Sequence, residues 1–181
     1  MAADSSILET PRLRLRRLSE DDAPFMLALL NDEAFLRFIG DRNVRTEDDA
    51  RAYIRNGAMA SYEANGYGLY LVESKEHGAP IGLCGVLKRD MLPDPDLGFA
   101  FSAGHRSRGY GKEAAAATLE YSRHTLGFPR IAAIVSPENE ASLRLLHGLG
   151  FAYERMVRMT ENEPEILYLV RDLNGRASAT P

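Results

Sequence analysis

Two hydrophobic periods alternate along this chain, and the switches between them mark out its elements. Leu13 and Leu15 alternate with arginines over residues 12–18, the period of a half-buried strand. Ser19 then offers a helix N-cap. Glu20, Asp21 and Asp22 follow in the first turn, and Phe25, Met26, Leu29 and Leu30 form an apolar stripe. A second helix is predicted to start after Thr46 and to run past Tyr53, Ile54 and Met59 to the stop signal Asn65-Gly66. Three strands follow at 67–74, 81–88 and 97–102, separated by turn signals at 75–80 and 90–95, which suggests an antiparallel meander. Residues 111–126 read as an alanine-rich helix, closed by Gly127 and Pro129. The short, wholly apolar run 131–135 has the pattern of a strand buried on both faces. A helix over 137–150 and strands over 151–159 and 166–172 complete the chain. The predicted order is β-α-α-β-β-β-α-β-α-β-β: one α/β (mixed α+β) domain, a mixed sheet with helices on both sides. Its core is expected at about 9–173 of residues 1–181, with frayed tails at 1–10 and 174–181.

Composition narrows the possibilities. At 181 residues, 45% hydrophobic and 27% charged, the chain can bury one sizeable core without a metal or disulfides. Its single cysteine, Cys84, permits no internal disulfide and no thiolate-rich zinc site, and it reads as a small buried hydrophobe. No His, Asp or Glu grouping has ligand spacing, so no metal is expected. The start lacks a signal-peptide pattern, and no apolar run approaches the ~20 residues of a membrane span, so a cytoplasmic location is expected. A net charge of −4 argues against nucleic acid or an anionic membrane as the main partner.

The chemistry concentrates in one segment. After the strand ending near Phe101 comes His105-Arg106-Ser107-Arg108-Gly109-Tyr110-Gly111-Lys112, leading into a helix. N–H groups in a helix's first turn lack internal partners and carry partial positive charge, which makes such a point an anion site. Gly109 and Gly111 let the main chain approach a bulky anion, while Arg106, Arg108 and Lys112 add cations. The inference is a phosphate or pyrophosphate cradle built mainly from backbone. By itself Arg-x-x-Gly-x-Gly is a weak signal, found by chance in about one shuffled chain in eight of this composition; the strand before and the helix after give it context. The alternative is a glycine-softened loop with a solvated basic rim. Neither a P-loop nor Gly-x-Gly-x-x-Gly is present.

The segment from Arg106 to Ala115 resembles the Arg/Gln-x-x-Gly-x-Gly/Ala acyl-CoA signature of the GNAT superfamily of N-acetyltransferases. Asn139-Glu140-Ala141-Ser142-Leu143, ending in Gly148-Leu149-Gly150-Phe151, is similar to that family's second motif. Residues 9–16, Glu-Thr-Pro-Arg-Leu-Arg-Leu-Arg, resemble the opening of its RimJ/RimL-type branch. The resemblance implies a sheet splayed between the strands at 99–101 and 131–135, where a pantetheine arm enters. It implies main-chain bonds from Phe99 and Phe101 to the arm and the acetyl carbonyl, one of these N–H groups stabilising the oxyanion. It sets the pyrophosphate over Arg106, Ser107, Arg108, Gly109, Tyr110, Gly111 and Lys112, with Asn139 bonding the arm and Ser142 close to the sulfur. Tyr110 contributes through its backbone alone, its ring packing outward.

The implied reaction is acetyl transfer from acetyl-CoA to a primary amine, a protein N-terminus or a small molecule, by direct attack in a ternary complex, in a monomer or homodimer. Two positions depart from the family pattern. Leu146 stands where many relatives carry a tyrosine acid, leaving Ser142 or water to protonate the thiolate, and Ala103 replaces a common proline. Asp96 and Glu73 are the candidate bases, although solvated strand-end acids are the commoner reading of each. His77, His105, His124 and His147 show no catalytic spacing. The alternative is a non-catalytic acyl-CoA-binding or regulatory domain.

Overall fold

The computed structural model describes residues 6–174; residues 1–5 and 175–181 lie outside the described part. Eight strands form one sheet: β1 (Ser6–Glu9), β2 (Leu13–Arg17), β3 (Leu69–Ser74), β4 (Ala79–Leu87), β5 (Asp96–Phe101), β6 (Arg130–Val135), β7 (Ala152–Val157) and β8 (Ile166–Asp172). Their spatial order is β1-β2-β3-β4-β5-β6-β8-β7. All neighbours are antiparallel except β5 and β6, which are parallel. Six helices accompany them: α1 (Ala23–Leu30), α2 (Glu33–Phe38), α3 (Glu47–Ile54), α4 (Ala60–Asn65), α5 (Tyr110–His124) and α6 (Glu140–Gly148).

The strand period decides which helices meet which face. On β3 the side chains of Tyr70 and Val72 enter the core that also holds Ala114, Ala115 and Leu119 of α5 and Leu146 of α6. Leu71, between them, enters the opposite core with Met26, Leu29 and Leu30 of α1, Phe35 of α2 and Ala50 and Ile54 of α3. Ala114 and Ala115 are fully buried, and their small side chains let α5 lie close on β4. Thr118 and Ser122 are buried there too. Each satisfies its hydroxyl on the carbonyl one turn back, at 2.9 Å and 2.7 Å. The Cys84 sulfur lies 3.4 Å from the Thr118 hydroxyl, and burial pushes its thiol up to about 12. It is an inert packing group.

Three local expectations change. Residues 6–9, expected to fray, pair with β2 as an edge strand. The helix expected from Thr46 to Asn65 is interrupted by a π turn at Arg55–Met59. An unanticipated short helix, α2, follows Asp32, whose carboxylate accepts the Ala34 and Phe35 amides at 3.0 and 3.4 Å. Among the described residues no helix is long and apolar enough to cross a membrane, and no acid, His and Cys cluster could hold a metal ion.

Candidate active site

The site is where the sheet comes apart. Strands β5 and β6 pair only at Asp96 and Ala132, where the Ala132 amide donates to the Pro95 carbonyl at 2.9 Å. Beyond that point they diverge. Ser102 N–H donates to the directly opposed Ile81 carbonyl at 3.0 Å, which fixes the alternation of the β4–β5 ladder. Every second residue of β5 then turns its N–H and C=O away from β4, so Phe99 and Phe101 present theirs to the gap. Leu173 N–H bonds the Pro129 carbonyl at 2.8 Å, and the same reasoning turns the Ile134 backbone toward the gap from β6.

At the open end of the gap a 3-10 turn, Ala103–His105, leads into the glycine-arginine loop and α5. His105 is tied to Ser102 by its Nδ1, 2.8 Å from the hydroxyl. The loop alternates hand: Ser107 has φ +59° and Gly109 φ +81°. Such alternation turns successive amides to one side as an anion nest. Among the described residues, the N–H groups of Gly109 to Lys112 have no protein acceptor, and the next amide, Glu113, bonds the Gly109 carbonyl at 3.0 Å. Four adjacent N–H groups at the helix start are therefore free for an anion.

The side chains depart from expectation. The Arg106 guanidinium turns back: its Nε donates to the Phe101 carbonyl at 2.9 Å and its terminal nitrogen pairs with Asp32. Arg108 and Lys112 remain as the loop's own cations. A third arginine, Arg12, comes from the β1–β2 turn. Its Nε pairs with Glu113 at 2.6 Å, one terminal nitrogen bonds the Arg108 carbonyl at 3.1 Å, and its plane lies 4.5 Å over the Tyr110 ring. Tyr110 does not pack outward; it is buried beneath Arg12. Glu113 also takes the Thr10 hydroxyl at 2.6 Å and the Arg12 amide at 3.0 Å. Partial burial opposes its charge, but the Thr10 and Arg12 bonds hold its carboxyl below the usual range.

Gly111 has a different use from the one expected. A Cβ there would point inward, 3.1 Å from Leu145 and 3.5 Å from Phe101, so its smallness serves helix packing. Asn139 caps α6 by accepting the Ser142 amide at 3.1 Å on its Oδ1, which leaves its amide nitrogen to donate. Ser142 is half-buried, and its hydroxyl bonds nothing among the described residues. Leu146 is buried in the core and offers no proton.

The candidate bases fare worse. Glu73 bonds Arg16 at 2.8 Å on β3, two strands from the gap. Asp96 sits at the gap's closed end, 1% exposed, with Arg89 Nε 3.1 Å from one oxygen. No amine can reach it there. Burial pushes its carboxyl up to about 6 against the pull of Arg89. A carboxyl raised on folding contributes stability below its unfolded value near 4, and that contribution is lost as pH climbs through 6. Asp96→Asn is therefore expected to gain on the parent protein between pH 4 and pH 7 by about 2 kcal/mol, read from urea midpoints. A constant difference across that range contradicts this assignment.

A cavity of about 270 Å³ opens elsewhere, between α1, α3, α4 and the β3–β4 pair, and shares no residue with the loop.

The fold and the splayed, amide-rich loop define an acyltransferase of the GNAT class, and the comparisons agree. The chain belongs to that family: its acetyltransferase (GNAT) domain model matches residues 12–152. The uncharacterised N-acetyltransferase YoaA of Bacillus subtilis is 30% identical, over 84% of this chain and 86% of that one. An acetyltransferase from Agrobacterium tumefaciens superposes with a TM-score of 0.77 at 26% identity, covering 91% of this chain and 92% of that one. RimL, a ribosomal L7/L12 α-N-protein acetyltransferase solved with coenzyme A, shares the fold at TM-score 0.77 and 14% identity, covering 93% and 98%. The protein is an acetyltransferase.

Proposed function

We propose that this acetyltransferase moves the acetyl group of acetyl-CoA to a primary amine by direct attack within a ternary complex. The run of free amides from Gly109 to Lys112, beside the inward-facing backbone of Phe99 and Phe101, carries the reading. The loop amides, with Arg108 and Lys112, take the pyrophosphate. Phe99 and Phe101 bond the pantetheine arm, and a gap-facing N–H meets the carbonyl oxygen as it gains charge, where a fixed donor counts most. Asn139 holds the arm through its unused amide nitrogen.

In the reaction the amine nitrogen bonds the acetyl carbon, the carbon–sulfur bond breaks, and the amine gives up one proton. Holding both reactants in the gap supplies most of the rate. Ser142, with its uncommitted hydroxyl, relays a proton to the departing sulfur, taking one from water as it gives one up. Asp96, buried and paired, is structural in this scheme, and bulk water takes the amine proton. Ser142→Ala is expected to lower turnover about tenfold with acetyl-CoA affinity unchanged, read as thiol release with a panel of amines. Parental turnover would remove Ser142 from the mechanism.

The same proposal sets the enzyme in the cytoplasm, as a monomer or homodimer, with no nucleic acid or membrane partner. It is tested by following thiol release from acetyl-CoA over peptide N-termini and small amines. Amine-dependent release is expected, whereas binding without release to any amine favours an acyl-CoA sensor.

A further inference from the structure

Helix α2 makes one ion pair toward each side of the gap. At its N-terminus, Asp32 pairs with Arg106, which also holds the Phe101 carbonyl at the end of β5. From its last turn, Arg37 reaches Glu138, three residues beyond the end of β6, at 3.7 Å. One six-residue helix is thus tied to both diverging arms. Its Phe35 anchors it in the core on the sheet face away from α5 and α6. The two ties differ in strength. Arg37 and Glu138 are both well exposed, and such a pair contributes little. The Asp32 side chain is only 17% exposed and carries three bonds at once, to Ala34, Phe35 and Arg106. Burial opposes its charge, but Arg106 and the two amides hold its carboxyl below the usual range.

We propose that Arg106 and Asp32 are positioning residues that transmit acyl-CoA binding to α2, so that filling the phosphate loop fixes the wall the acceptor amine meets. This rests on the reading of the loop given above. Arg106 is the first residue of that loop and bonds none of its amides. An anion seated on residues 107–112 immobilises the loop, and with it the guanidinium and the carboxylate to which it is bonded. A segment that is already fixed costs the second ligand less to order, so the two substrates help each other bind. Sequence spacing gives no hint of this link, since 74 residues separate the two partners.

The readout is amide exchange in α2, at Leu36, Ile39 and Gly40, whose N–H groups close the helix on the Asp32 and Phe35 carbonyls. Exchange is measured by mass spectrometry with and without acetyl-CoA, in parent and Asp32→Ser protein. Serine keeps an N-cap for α2 but removes the charge that Arg106 needs. In the parent, acetyl-CoA is expected to slow these amides about tenfold. In Asp32→Ser the slowing should fall below twofold, while the acetyl-CoA Kd stays within threefold. Arg106→Gln breaks the same pair from the other side and gives the same loss of protection, which covers a failure of the first variant to fold. Full protection of α2 in either variant overturns the link. Acetyl-CoA binding to the parent with no protection of α2 overturns it alone, whereas absence of binding overturns the functional reading as well.

Discussion

Replacing Gly109 with valine is expected to raise the acetyl-CoA Kd at least 100-fold while leaving the core folded. The residue sits at φ +81°, where a β-branched side chain is strained whatever the surrounding space. Space is not the main obstacle: a Cβ there would meet only a terminal nitrogen of Arg12, at 3.3 Å. The loop would re-form with a different twist, and amides of the 107–112 run would turn away from the anion. Two lost charge-assisted bonds, at about 1.5 kcal/mol or more each, account for the 100-fold. Gly109→Asn is the control, because asparagine tolerates left-handed backbone; its affinity should stay within tenfold of the parent. Calorimetry on both variants decides the point. A valine variant that binds like the parent would show that the loop's hand does not matter.

The largest effect on stability is expected at Gly85. A Cβ there would lie 2.1 Å from the Gly68 carbonyl oxygen and 2.8 Å from the Leu69 Cα, both backbone atoms. Nothing at that spot can rotate aside. Residue 85 lies opposite Leu69 on one side and Gly98 on the other, in the strand pair that carries β5. Gly85→Ala should therefore cost about 3 kcal/mol or more, the upper range for overpacking, and lower the urea midpoint accordingly. Gly57→Ala, where a Cβ meets open space, is the comparison and should be nearly neutral or stabilising. Equal midpoints for the two variants would contradict the close approach of β4 to the chain before β3.

Much of this fold is legible in the sequence because its strands and helices keep clean periods. Leu13 and Leu15 mark one face of β2, and the apolar run 131–135 is buried as a strand between two others. Edge strand β1 left no such trace, since four residues at a sheet edge need bury only one side. Helix α2 carried a local signal in Asp32-Glu33, an N-cap followed by an acid. Six residues were too few to show a helical stripe. The π turn has no sequence signature at all.

The site divides in the same way. Its backbone part was readable, because a left-handed loop before a helix demands glycine and leaves amides free. The charge arrangement was not. Arg106 looks like a phosphate cation from its position in the motif, yet Asp32, distant in sequence, claims it. Arg12 looks like one more solvated strand arginine until the fold sets Glu113 beside it. Gly111 has a packing reason that the motif does not reveal, since Leu145 and Phe101 crowd the place of its side chain. Local sequence encodes backbone hand and helix starts; ion pairs across a sheet depend on the finished fold.

The most direct test of the central claim is calorimetric titration of the full chain with acetyl-CoA, with NAD and ATP titrated into the same preparation. The free-amide loop beside a splayed sheet predicts one acetyl-CoA per chain, bound at least tenfold more tightly than either control. Folded protein that shows no heat with acetyl-CoA, or that binds ATP equally well, would contradict the assignment of residues 107–112 as an acyl-CoA cradle.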